Sequence, residues 1–388
     1  MSDAVDFEDE EDQALPETTA RQFSDAVLYS SDWTVETILS QLNRKNIILN
    51  PKFQRRDAWS TNRKSTFIES LVVGLPVPQL VFAEVAGQRG KYLVLDGKQR
   101  LLSLIAFTES QGDRRAGFGL SGMTIRKDLS RKKFHDFFND PELIDELNSF
   151  YNYTIRTVII RNWPNNDFLH QVFLRLNTQS VKLSPQELRQ AMAPGPFTEF
   201  ADEFSAESAA LHSLLGRDGP DPRMRDVELL VRFIAFTEHL TSYKGRMKAF
   251  LDQTCQIEND QWQVRENTID EASKQFERLI RELQSIFGEN LARKPRSRSF
   301  NRAIFDTLSF YAAQGPILDA MARNRQAVHS AYEHLFDDVK FLEAIESDTA
   351  GIPNTASRLR IWGEALSGAL NMNIDLPRLK DGHFVISE

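Results

Sequence analysis

The sequence predicts an α+β unit built on a small mixed sheet, followed by an all-α C-terminal domain. Three observations carry this. Four short apolar runs of strand character, at 47–49, 80–83, 92–95 and 153–160, fall in the first half and alternate with helical patterns. Beyond Pro194-Gly195-Pro196 the pattern is helical almost throughout. Residues 1–25 are an acidic tail poor in large apolar side chains, so the folded parts are 26–195 and 196–388.

Asp32 or Thr34 is placed to cap a first helix through Val35, Ile38, Leu39 and Leu42. After the short Ile47-Ile48-Leu49 run comes Asn50-Pro51-Lys52-Phe53-Gln54-Arg55-Arg56-Asp57-Ala58-Trp59-Ser60, a polar loop rich in donors. Residues 62–73 place Phe67, Ile68, Leu71 and Val72 on one helical face, and Gly74 stops that helix. Two strands, Leu80–Ala83 and Tyr92–Leu95, flank a glycine-containing turn. Next come a helix from about Gln99 to Thr108, a polar, basic excursion over 109–135 and a strand over 153–160. A further helix begins near Asp167. At Ser184-Pro185-Gln186-Glu187 an N-cap serine, a first-turn proline and a glutamate three residues on form a capping box. In the C-terminal part, 227–236 is apolar nearly all round and reads as a buried helix, and 268–287 is amphipathic at steps of three and four.

With 388 residues, 41% hydrophobic content and 27 Phe, the chain has ample material for cores. Cys255 is the single cysteine, so neither a disulfide framework nor a cysteine zinc site can form within one chain. No run reaches the length of a membrane span, and the acidic N-terminus does not read as a signal peptide. A cytoplasmic protein is expected. The net charge is −8, of which residues 1–22 hold −7. The body is therefore near neutral and permits a local basic groove rather than general tight nucleic-acid binding. The tail reads either as a solubility segment or as a mobile acidic strand competing for such a groove.

The most informative stretch is Asp96-Gly97-Lys98-Gln99-Arg100 at a strand-to-helix junction. It combines a carboxylate, a residue free to take positive φ, and three long polar side chains where a helix N-terminus favours anions. It is not a Walker A loop, whose glycine spacing it lacks. Asp96 suits Mg²⁺ or an attacking water, or else caps the helix. Gln99 and Arg100 suit phosphate oxygens or a base edge, or a surface salt bridge. Lys98 either neutralises a phosphate or is solvated. Arg55 and Arg56 read as a phosphate clamp or as a brace to Asp96 or Glu69. Trp59 reads as core packing ahead of base stacking. Asn177 either completes the pocket or caps its helix.

Together with three further blocks, this motif resembles the N-terminal domains of GmrSD-type modification-dependent restriction systems, of ParB/sulfiredoxin-like fold. The blocks are Phe53-Gln54-Arg55-Arg56 with Trp59; Ile68-Glu69-Ser70-Leu71 running to Gly74-Leu75-Pro76-Val77-Pro78; and Phe173–Thr178 with Leu183–Arg189. All lie in order between residues 32 and 190. The family's Asp-Gly-Gln-Gln-Arg appears here with Lys98 in place of the first Gln.

The resemblance implies an NTP-binding and hydrolysing component that acts on modified DNA with a partner nuclease. On this reading Asp96, Arg100 and Arg55 are catalytic, with Mg²⁺ at Asp96. Gln54, Arg55, Arg56, Gly97, Lys98, Gln99, Arg100 and Asn177 bind the nucleotide, with Gln186 and Arg189 facing the same region. Glu187 is a capping acid rather than a catalyst. The alternatives are a non-hydrolysing sensor of nucleotide or modified DNA, and a metal-dependent nuclease in its own right. The seven histidines are scattered and lack the spacing of an HNH nuclease. Two basic clusters are candidate DNA contacts: Arg126, Lys127, Arg131, Lys132 and Lys133, and a second around Arg296 and Arg298. The C-terminal helices offer faces for a homo-oligomer or a partner subunit.

Overall fold

The computed structural model describes residues 27–49, 59–108, 117–164, 168–169, 172 and 184–385. The acidic tail, the Gln54–Arg56 loop, most of the helix expected near Asp167, and Asn177 lie outside them. The described chain divides into two compact units, one ending at Met192 and the other running from Ala193.

The first unit is a mixed five-stranded sheet covered by helices. Its strands are β1 (Val27–Thr34), β2 (Ile47–Ile48), β3 (Leu80–Glu84), β4 (Tyr92–Asp96) and β5 (Thr154–Arg161), in spatial order β1-β5-β3-β4-β2. β1 pairs antiparallel with β5 and β3 with β4, while β5 runs parallel to β3 and β2 to β4. The helices are α1 (Val35–Asn43), α2 (Thr61–Val73), α3 (Lys98–Thr108), the single-turn α4 (Asp136–Asn139), α5 (Ile144–Asn152) and α6 (Pro185–Met192).

Local chemistry sets most of these boundaries. The Thr34 hydroxyl accepts the Thr37 N–H at 3.1 Å and caps α1. Asp32, the other candidate cap, lies within β1 and pairs with Arg156 at 3.1 Å. Gly74 ends α2 in the left-handed conformation at φ +83°. Leu80–Ala83 and Tyr92–Leu95 are buried throughout because both faces of the sheet are covered, which explains their unbroken apolar runs. Phe82, Tyr92, Val94, Ile155 and Ile159 face α1, α2, α3 and α5, while Val81, Ala83, Leu93, Leu95 and Ile160 face Leu188 of α6 and Phe168. Phe107 anchors the first layer, its ring meeting those of Phe118, Phe134, Phe137 and Phe150 at 5.4–5.8 Å between centroids.

The excursion after α3 is tied back by a single carboxylate. Glu69 of α2 is 2% exposed. It accepts the backbone N–H groups of Thr124 (3.2 Å), Ile125 (2.8 Å) and Arg126 (2.6 Å). Burial pushes its carboxyl up, but those three donors and the Thr124 hydroxyl outweigh it and hold the group below its ordinary value. A depressed carboxylate stabilises the fold fully above its unfolded value near 4.5, and that contribution is lost as pH falls further. Glu69→Gln is therefore expected to destabilise the unit by about 1.5–3 kcal/mol at neutral pH. In parallel denaturations the gap should narrow below pH ~4.5; a gap independent of pH would show that the charge contributes nothing.

The second unit is helical, from Pro196–Glu207 to Ile352–Leu370, and closes with a small hairpin of β6 (Arg378–Lys380) and β7 (His383–Val385). The buried helix expected at 227–236 spans Arg225–His239, and residues 226–236 are all buried. Its Arg232 is held by Asp306 in a bidentate pair at 3.0 and 2.6 Å, which is how a charge survives there. The amphipathic helix spans Trp262–Phe287, with Ile269, Phe276, Leu279, Ile280 and Leu283 inward. No described helix is long and apolar enough to cross a membrane.

Candidate functional site

The site is the junction from β4 into α3. β4 reaches it through a bulge: Phe82 pairs with Val94 but Val81 with Asp96, so Leu95 is the extra residue. A bulge bends a strand and re-aims the residue beyond it, here Asp96. Gly97 then turns the chain at φ +99°, and its carbonyl accepts the Leu101 N–H at 3.0 Å as α3 begins. A Cβ on Gly97 would lie 2.2 Å from Leu80 Cδ2, so the position needs glycine for both conformation and space.

Arg100 folds back over this turn. Its Nη2 donates to Asp96 Oδ2 at 2.7 Å and to the Gln79 carbonyl at 3.0 Å. The surface salt bridge considered for Arg100 is thus a largely buried one, with 7% of the arginine side chain exposed against 20% of the aspartate. Arg100 Nε is buried with no hydrogen-bond partner among the described residues and lies 3.3 Å from where the Gly97 Cβ would stand. Gln99 Oε1 is likewise buried and unpartnered among the described residues.

A second helix N-terminus meets this one. The capping box forms as expected: Ser184 Oγ accepts the Glu187 N–H at 3.0 Å, and Glu187 Oε2 accepts the Ser184 N–H at 2.7 Å. Glu187 Oε1 also receives Lys98 Nζ at 2.6 Å, with side chains 4% and 6% exposed. Lys98 is therefore not solvated. Its charge is matched by a buried carboxylate, and the pair draws the first turns of α3 and α6 together. Gln186 is fully buried, and its Oε1 accepts from Arg189 Nη1 while its Nε2 has no partner among the described residues. Two helix starts, buried cationic groups and unpaired amide atoms make a setting for an anion carried on a group that also offers hydrogen bonds.

The structure thus gathers Asp96, Gly97, Lys98, Gln99 and Arg100 and joins Glu187 to them through Lys98, with Gln186 and Arg189 on the same helix as Glu187. The Lys98–Glu187 contact spans 89 residues and leaves no local signal; only the capping pattern marks Glu187. Gln54, Arg55, Arg56 and Asn177 are not among the described residues. Trp59 packs edge-on against Phe67 at 6.0 Å, with the Arg63 guanidinium 4.7 Å over its ring, in keeping with a packing role. No group of three His, Cys, Asp or Glu side chains suited to a metal occurs among the described residues.

The first basic cluster is partly neutralised from within. Arg126 contacts Asp128 at 2.6 Å and Glu146 at 2.8 Å, and Lys132 contacts Asp140 at 3.1 Å. The hydrogen bond that Arg126 donates to Asp128, followed by the one it donates to Glu146, raises its guanidinium above the ordinary value despite burial. Lys127 and Arg131 remain exposed.

Residues 35–193 match the family model of the GmrSD restriction endonuclease N-terminal domain. The match closes where the first compact unit does, and this segment belongs to the GmrSD-type N-terminal family. No curated protein and no solved structure matches the chain.

Proposed function

We infer, from a GmrSD-type N-terminal domain over residues 35–193, that the protein is a component of a DNA restriction or defence system whose first unit binds and hydrolyses an NTP. The observation that carries the nucleotide site is a set of buried polar atoms with no partner among the described residues: Arg100 Nε and Gln99 Oε1 at the turn, and Gln186 Nε2 in the first turn of α6. Each such group costs about 1–3 kcal/mol unless a partner arrives. A nucleotide supplies both kinds of partner, with phosphate oxygens for the guanidinium and helix N–H groups and a base or sugar edge for the amides.

Asp96 is the residue fitted to a Mg²⁺ ion. It is partly exposed, and Mg²⁺ commonly takes one or two carboxylates and completes its shell with water and substrate phosphate. When bound, the ion would offset charge on the transferring phosphoryl group. Arg100, displaced from Asp96 towards the phosphates, would do the same from the protein side. Hydrolysis would then gate DNA recognition or a partner nuclease.

The 2.7 Å Asp96–Arg100 pair also favours a second reading, since two groups that neutralise each other suit a binding pocket more than a reacting one. That reading is a non-hydrolysing sensor of nucleotide or modified DNA.

Phosphate release by the purified chain, with each NTP and Mg²⁺ and with or without DNA, separates the two. On the hydrolytic reading Asp96→Ala is expected to lower turnover at least 100-fold while nucleotide still binds. Nucleotide binding without turnover in the wild type would select the sensor, and neither binding nor turnover would overturn the nucleotide site in both readings.

A further inference from the structure

The second unit carries a feature that the nucleotide site does not use. Residues 293–300 form a closed loop, pinned by an antiparallel bridge between Arg293 and Phe300. Inside it the Arg298 N–H donates to the Lys294 carbonyl at 3.0 Å and the Lys294 N–H to the Ser299 carbonyl at 3.2 Å. Arg293 Nη1 donates to the Arg298 carbonyl at 2.9 Å, and the Ser297 and Ser299 hydroxyls lie 2.6 Å apart. Arg298 itself is held at φ +56°, a conformation that a non-glycine residue keeps only where its surroundings impose it. The backbone is fixed, yet the residues at its tip, Pro295 to Arg298, are all exposed.

Several exposed cations elsewhere in the unit sit on carboxylates: Arg360 on Glu364 at 2.9 Å, Lys274 on Asp270 at 2.6 Å, and Arg278 on Asp319. The guanidiniums at this tip have no such close pairing among the described residues. In the loop, Arg298 comes no nearer than 3.8 Å to Glu289, a side chain 94% exposed, and such a contact contributes little. Arg296 has no carboxylate partner among the described residues. Two guanidiniums held two residues apart on a rigid, convex tip, with a serine hydroxyl between them, suit successive charges along a chain better than one small anion in a cavity.

We propose that the Arg293–Phe300 loop contacts the phosphodiester backbone of DNA through Arg296 and Arg298. This rests on the reading of the protein as one that acts on DNA. The contact is sequence-independent and positions the duplex rather than reading it.

The test is binding of a labelled DNA duplex to the full chain across a salt series. Arg296→Ala/Arg298→Ala is expected to make the slope of log K against log salt shallower by about 2, and to weaken binding roughly tenfold or more near 0.1 M salt. Arg296→Lys/Arg298→Lys, which keeps both charges, should retain most of the slope. Arg278→Ala/Arg360→Ala removes two charges elsewhere in the unit and should leave binding unchanged. Wild-type binding by the double alanine variant, or equal losses in it and the control pair, would overturn the loop contact alone. No binding by the wild type would overturn it together with the DNA reading.

Discussion

Lys98→Ala is expected to lower the stability of the first unit by about 3–5 kcal/mol, and Glu187→Ala by at least as much. Each change strands the other charge in a site almost closed to water, with the two side chains only 6% and 4% exposed. Removing Glu187 also deprives the Ser184 N–H of its acceptor, adding about 1 kcal/mol for the lost cap. Lys98→Met/Glu187→Met, which removes both charges and keeps the volume, should recover most of the loss. Denaturation of the wild type, Lys98→Met, Glu187→Met and the double Met variant closes a double-mutant cycle. A coupling energy below about 1 kcal/mol would place this contact with ordinary surface pairs and sink the idea that it clasps α3 to α6. The same geometry accounts for a lysine where the related motif has its first glutamine: Glu187 Oε1, 2.6 Å away, compensates the extra charge.

Gly97→Ala should be as damaging, for a different reason. At φ +99° an alanine is strained by about 1–3 kcal/mol. Its methyl would then overlap Leu80, a side chain with no exposure and no slack, for roughly another 1–3 kcal/mol of repacking. The new Cβ would also stand 3.2 Å from Arg100 Nη2, tight enough to push the guanidinium off Asp96. Stability and nucleotide affinity should therefore fall together, the affinity by at least about tenfold. A variant that unfolds at the wild-type midpoint and binds nucleotide normally would show that the turn relaxes without cost and that Arg100 does not depend on it.

Much of the first unit is legible in the sequence because its signals are local. Gly74 ends α2, the Ser184–Glu187 box starts α6, and Gly97 takes the positive φ that its place between strand and helix suggests. The runs at 80–83 and 92–95 announce strands buried on both faces. β1 has no such signal, for an equally local reason. It is an edge strand exposed at Val27, Leu28 and Tyr29, so Val27–Thr34 carries no alternation to reveal it. The closing hairpin at 378–385 is short and mostly exposed, and it is hidden for the same cause.

Local signals in the chain set the order of most strands and helices, the helical character of the second half and the chemical types gathered at the Asp96–Arg100 turn. Those depend on hydrophobic period, caps and glycine placement, all set by neighbours within a few positions. Long-range packing is what returns β5 parallel to β3, aims Asp96 through a bulge, and brings three N–H groups to Glu69 from 55–57 residues away. It alone matched Lys98 with Glu187. A buried charge must find a partner, and which of several carboxylates that is depends on what chain packing brings within ~3 Å, a distance that spacing along the sequence does not encode.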